Sequence, residues 1–103
     1  MHIRIISLVN WNAATEVKEL IEDTLVKLKV NADLEIVTVE TSEEAIRYRH
    51  IGGPTIQVNG LDIEPNARTI EQFGISWRRY GVSSIPSEEL ITAALEEAAQ
   101  TGQ

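Results

Sequence analysis

The stretch Pro54-Thr-Ile-Gln-Val-Asn-Gly-Leu-Asp-Ile63 constrains this chain more than any other. Asn59-Gly60 separates two extended runs. A two-residue hairpin turn asks for positive φ at both centres, and Asn-Gly supplies it at least cost. The flanking runs, Pro54–Val58 and Leu61–Ile63, are therefore expected to pair antiparallel. Pro54 donates no backbone hydrogen bond. It is tolerated as the first residue of a strand, directly after Gly52-Gly53, and disfavoured further in. Pro65 ends the hairpin.

The rest of the chain supplies what a hairpin needs to become a domain. His2–Val9 is a short Ile- and Val-rich run that suits a buried central strand. From Ala13 to about Lys29, Val17, Leu20, Ile21, Leu25 and Leu28 form one helical stripe. Acids gather towards its start and lysines towards its end, as the helix dipole prefers. Asn31-Ala32-Asp33 is a turn, and Leu34–Val39 is a second strand. Strand, helix and strand make a βαβ unit with parallel strands and a right-handed crossover. Thr41-Ser-Glu-Glu44 is a capping box. It opens a short helix towards Arg49, which Gly52-Gly53 ends. Residues 66–84 hold no clean period and read as a short helix or an irregular loop. Pro86 opens a last helix with the stripe Leu90, Ile91, Ala94, Leu95 and Ala98, and Gly102 stands where its end would fall. The order predicts a single α/β domain over residues 1–103, with a four-stranded mixed sheet.

Composition excludes several chemistries. The chain has no cysteine, which removes thiol nucleophiles, dithiol exchange and cysteine metal sites. His2 and His50 lie far apart, so neither a metal nor another cofactor is expected. The net charge of −7 argues against nucleic acid. Only residues 47–79 are net basic, at +2. No apolar run is long enough for a membrane span, and no leader pattern opens the chain. The composition reads as a soluble cytoplasmic protein.

The segment Ile51-Gly-Gly-Pro-Thr-Ile-Gln-Val-Asn-Gly-Leu-Asp-Ile63 resembles the Gly-Ser-Pro-Thr…Val-Asn-Gly-x-Asp-Ile stretch of small thioredoxin-like proteins, some of them grouped loosely alongside alkylmercury lyases. The similarity runs from the opening βα unit to the last helix. It includes Arg78-Arg79-Tyr80, where such proteins often read Cys-Arg-x-Tyr. The resemblance implies a three-layer βαβ–α–ββα fold with a cis-Pro loop at Pro54. It also implies a cleft formed by Trp11, Asn12, Ala14, Thr15, Gly53, Pro54, Thr55, Trp77, Arg78 and Tyr80. The relatives' cysteine positions fall on Ala14 and on Ser76 or Trp77, where no thiolate can form. The backbone beside a cis-Pro in such proteins takes up an extended peptide by strand addition, and Trp11 and Trp77 would flank that groove.

The expected function is a redox-inactive module that binds an unknown protein or peptide partner. Three alternatives stand beside it. One is a thiol-independent protein or enzyme that holds a small glutathione-like anion through Arg47, Arg49, His50, Arg78 and Arg79. Another is a homodimerising module that pairs through an edge strand. The third is a thiol–disulfide oxidoreductase whose cysteines were engineered out. The plainer readings are core packing for Trp11 and Trp77, and surface positions for the arginines. His50 reads as a capping or solvent-facing residue. Asp62 and Glu64 read as charges that protect an edge strand from unwanted pairing.

Overall fold

The computed structural model describes residues 1–9 and 14–100. Its elements are β1 (His2–Leu8), α1 (Ala14–Leu28), β2 (Asp33–Val39), α2 (Ser42–Tyr48), β3 (Thr55–Val58), β4 (Leu61–Asp62), a single 3-10 turn over Pro65–Ala67, and α3 (Glu88–Gln100). The four strands lie in the order β2-β1-β3-β4. β1 pairs parallel with β2 and antiparallel with β3, and β3 pairs antiparallel with β4. The Ile- and Val-rich first strand is central, as its composition predicts. The fourth strand is shorter than expected. Its pairing with β3 covers two residues, and Ile63 reaches back only through its N–H, to the Ile56 carbonyl.

Side chains alternate across β1, and this sorts the helices. Ile3 and Ile5 point to one face and share a core with Val17, Ile21 and Leu25 of α1 and with Ile91, Ala94 and Leu95 of α3. Ile6 and Leu8 point to the other face, where they meet Val39 and, beside them, Tyr48 of α2. The result is a mixed α/β domain with helices on both faces of the sheet. Among the described residues no helix is long and apolar enough to cross a membrane.

The local signals act as the side chains require. Thr41 Oγ1 accepts the Glu44 N–H, and the Glu44 carboxylate accepts the Thr41 N–H. Asn59 and Gly60 take φ of 53° and 83° in the hairpin turn. Ser87 caps α3 by accepting the Leu90 N–H at 3.1 Å. Gly102 lies outside the described residues.

Arg49 ends α2 in the left-handed region at φ 58°. Glycine takes this place most easily, because a side chain there costs about 1 kcal/mol or more. The contact of Arg49 with Phe73 is a partial offset of about 0.5–1 kcal/mol. Arg49→Gly is therefore expected to leave the urea midpoint unchanged or to raise stability by up to about 1 kcal/mol. A loss beyond about 0.5 kcal/mol in a urea melt would show that the ring contact outweighs the backbone term.

Candidate functional site

Within residues 66–84, which sequence periodicity leaves unread, the part from Gly74 to Tyr80 is stitched across the start of β3 by polar contacts. Gly74 donates its N–H to the His50 carbonyl at 3.0 Å, and the His50 ring returns a bond to the Gly74 carbonyl at 2.8 Å. Gly53 donates to the Ser76 carbonyl at 2.7 Å and accepts the Arg78 N–H at 3.0 Å. Gly53 and Trp77 thus form a parallel bridge. The Tyr80 hydroxyl donates to the Pro54 carbonyl at 2.7 Å. The Gly53–Pro54 bond is cis. Gly52, at φ 140°, lies so close to Arg78 that an added Cβ would stand 2.8 Å from the arginine's own Cβ. Only glycine admits that approach.

These bonds change the reading of Gly53. Both of its backbone polar groups are used within the chain, so the place expected to receive a partner's strand is already filled by Ser76–Arg78. Gly53, Pro54, Thr55 and Tyr80 are all buried. Thr55 Oγ1 donates to the Gly52 carbonyl at 2.6 Å and accepts the Ile51 N–H, so it fixes the loop from inside.

Arg78 and its acids depart furthest from the surface readings given to them. The Arg78 and Asp62 side chains are each 8% exposed. The guanidinium holds both Asp62 oxygens, at 2.7 and 2.8 Å, and Glu64 at 2.7 Å. It also lies over the Tyr80 ring at 4.5 Å. Burial works against the charge of Arg78. The Asp62 and Glu64 bonds outweigh it and raise the pKa above its ordinary value. Burial likewise pushes the Tyr80 phenol up. Asp62 and Glu64 are therefore not edge protection. They alternate on one face of the chain and converge on a single buried cation.

His50 is neither capping nor solvent-facing through its ring, which is fully buried. Its bond to a carbonyl requires a proton on Nδ1, which leaves a lone pair on Nε2. That nitrogen has no partner among the described residues. Burial depresses its pKa, the Gly74 carbonyl works the other way, and Arg78 depresses it further.

Of the five basic residues proposed to gather at one end, His50 and Arg78 lie near each other, and each arginine has a partner of its own. Arg78 is committed to acids, Arg47 lies over Tyr48, Arg49 over Phe73, and Arg79 donates to the Val82 carbonyl. Among the described residues no three His, Asp or Glu side chains come together as a metal site.

Accessible surface near the cis bond comes from other residues. Trp77 is 61% exposed, although core packing was its plainer reading. Trp77, Ile75, Leu8, Val9, Val39 and Glu40 line a cleft of about 370 Å³. Ile75 and Val9 are also exposed. In the sequence Val9 reads as the end of an apolar run, and Ile75 falls in the segment that holds no clean period. Of the other expected cleft residues, Ala14 is half-buried and Thr15 exposed at the start of α1. Trp11 and Asn12 lie outside the described residues. No protein-family model, no curated protein and no solved structure matches this chain. The functional reading therefore rests on the site itself.

Proposed function

We propose that this chain is a thioredoxin-like domain without redox chemistry, and that it recognises an apolar segment of a partner protein through the cleft at Trp77. Four features support the fold reading. They are the strand order β2-β1-β3-β4, the parallel pairing of β1 with β2, the antiparallel pairing of β1 with β3, and the helices on both faces. The absence of cysteine removes the exchange chemistry such a domain would otherwise perform. The cytoplasmic location expected from composition belongs to the same reading.

The observation that carries the proposal is the exposure of Trp77 on a fixed backbone. A tryptophan left in water forgoes a large apolar burial, of order 2–3 kcal/mol. Here its main chain is bridged to Gly53, so the ring is presented from a rigid support. Rigid aromatic anchors beside apolar neighbours are the usual centres of binding energy at interfaces. Glu40 at the rim favours a partner with a basic residue beside its apolar anchor.

The test is selection from a random peptide display library on the immobilised full chain. Selected peptides are expected to share an apolar or aromatic anchor next to Lys or Arg. Trp77→Ala is expected to weaken their binding by about 2 kcal/mol or more, while the urea midpoint stays unchanged. Selection with no shared pattern, or binding that Trp77→Ala leaves intact, would remove the proposal.

The dimer alternative has the open edge of the seven-residue β2 in its favour. Sedimentation across a wide concentration range decides it, because a monomer throughout eliminates the twin.

A further inference from the structure

A second recess lies along β4, built from segments other than the Trp77 cleft, and it does not rest on the partner reading above. Arg49, Gln57, Leu61, Arg68, Ile70 and Phe73 are among its walls, and its volume is about 270 Å³. Its charges can be assigned one by one. Arg68 gives both terminal nitrogens to Glu97, at 3.0 and 2.6 Å, and its Nε to the Asp62 carbonyl. The Asp62 carboxylate is held by Arg78 on both oxygens. Those two walls are thereby neutralised.

Arg49 differs. It makes no ion pair among the described residues, in a chain with sixteen acidic side chains. Its guanidinium carbon lies 4.9 Å from the centre of the Phe73 ring. A guanidinium on an aromatic face keeps its in-plane N–H fork free for an anion. Next to it, Leu61 is 51% and Ile70 41% exposed. The recess thus offers one uncompensated planar cation and two accessible apolar side chains. A single arginine fork matches a single carboxylate in two parallel bonds. The volume falls just below the roughly 300–1,000 Å³ of sites for drug-sized ligands, so the apolar body has room for about one ring.

We propose that this recess binds a small planar monocarboxylate. Its carboxylate lies on the Arg49 fork, and its ring lies against Leu61, Ile70 and Phe73.

The test is an amide chemical-shift titration of the full chain with benzoate, benzamide and inorganic phosphate. Benzoate is expected to give saturable shifts at residues 49, 57, 61, 70 and 73, with a dissociation constant on the order of 1 mM. Benzamide has the shape without the charge, and phosphate has the charge without the ring. Neither is expected to saturate. Arg49→Gly keeps the left-handed backbone and removes the fork, and Arg49→Gln retains side-chain bulk should the glycine variant unfold. Either is expected to weaken benzoate about tenfold or more. Benzoate that does not saturate by tens of millimolar overturns the proposal. So does benzamide or phosphate binding as tightly as benzoate, or a folded Arg49 variant that retains full affinity.

Discussion

Asp62→Ala is expected to destabilise the domain by about 3 kcal/mol, a large share of the roughly 5–15 kcal/mol that a domain of this size holds. The reason is Arg78. Its guanidinium is buried, and Asp62 supplies two of its three charged bonds. Glu64 alone would remain, with a side chain 35% exposed. A buried cation that has lost most of its compensation costs far more than the pair contributed in net terms. The same carboxylate accepts the Glu64 N–H at 2.9 Å, so the turn after β4 loosens as well. The melting temperature should fall by more than about 10 °C. The converse experiment separates desolvation from attraction. Asp62→Leu combined with Arg78→Met removes both charges and should regain most of the loss, because a well-packed apolar pair often replaces a buried ion pair at little cost. An Asp62→Ala loss under about 1 kcal/mol would show that Glu64 alone satisfies the arginine.

Mild acid is expected to weaken the fold through His50. Its folded pKa lies below the ordinary 6.5, because burial disfavours the charged ring. Between the folded and unfolded values the unfolded chain binds the extra proton. The stabilisation is therefore complete above about pH 6.5 and is lost as pH falls below it. One proton sets a limit of about 1.4 kcal/mol per pH unit. A charged His50 would need an acceptor for Nε2, which has none among the described residues. The nearby charge is Arg78, of the same sign, and the acids that could help are already committed to it. His50→Gln can still donate to the Gly74 carbonyl but does not titrate. It is expected to be less stable at pH 7, with a flatter dependence from pH 7 to pH 5. Urea melts at half-unit steps check this, and equal slopes for both proteins would dismiss His50 as the source.

The parts legible in the sequence are those that repeat or that follow local rules. The α1 and α3 stripes, the Asn59-Gly60 turn and the Thr41–Glu44 box each act within a few residues, and the structure carries all of them. The segment after Pro65 obeys no period because its fixings are single, polar and distant. Arg78 reaches back sixteen residues to Asp62, His50 meets Gly74 twenty-four residues away, and Tyr80 meets Pro54 across twenty-six. One signal was available. Asp62 and Glu64 alternate beside a strand end, so their side chains share a face, and two carboxylates held side by side, one of them buried, call for a cation. Nothing local distinguishes Arg78 from Arg79 as that cation. For the same reason the sequence leaves Trp77 between a place beside the groove and core packing. Its exposure follows from the Gly53 bridge, which no spacing reports.

The bridge between Gly53 and Ser76–Arg78 makes the domain its own competitor. A tethered strand stands beside its acceptor at an effective concentration of millimolar or more, and it leaves only if His50, Tyr80 and the buried arginine release it together. A free peptide would have to outbid all of that to reach the backbone of Gly53. On the proposed reading, recognition at this surface would act through side chains, and a substitution that loosened the tether would open the backbone of Gly53 to main-chain pairing.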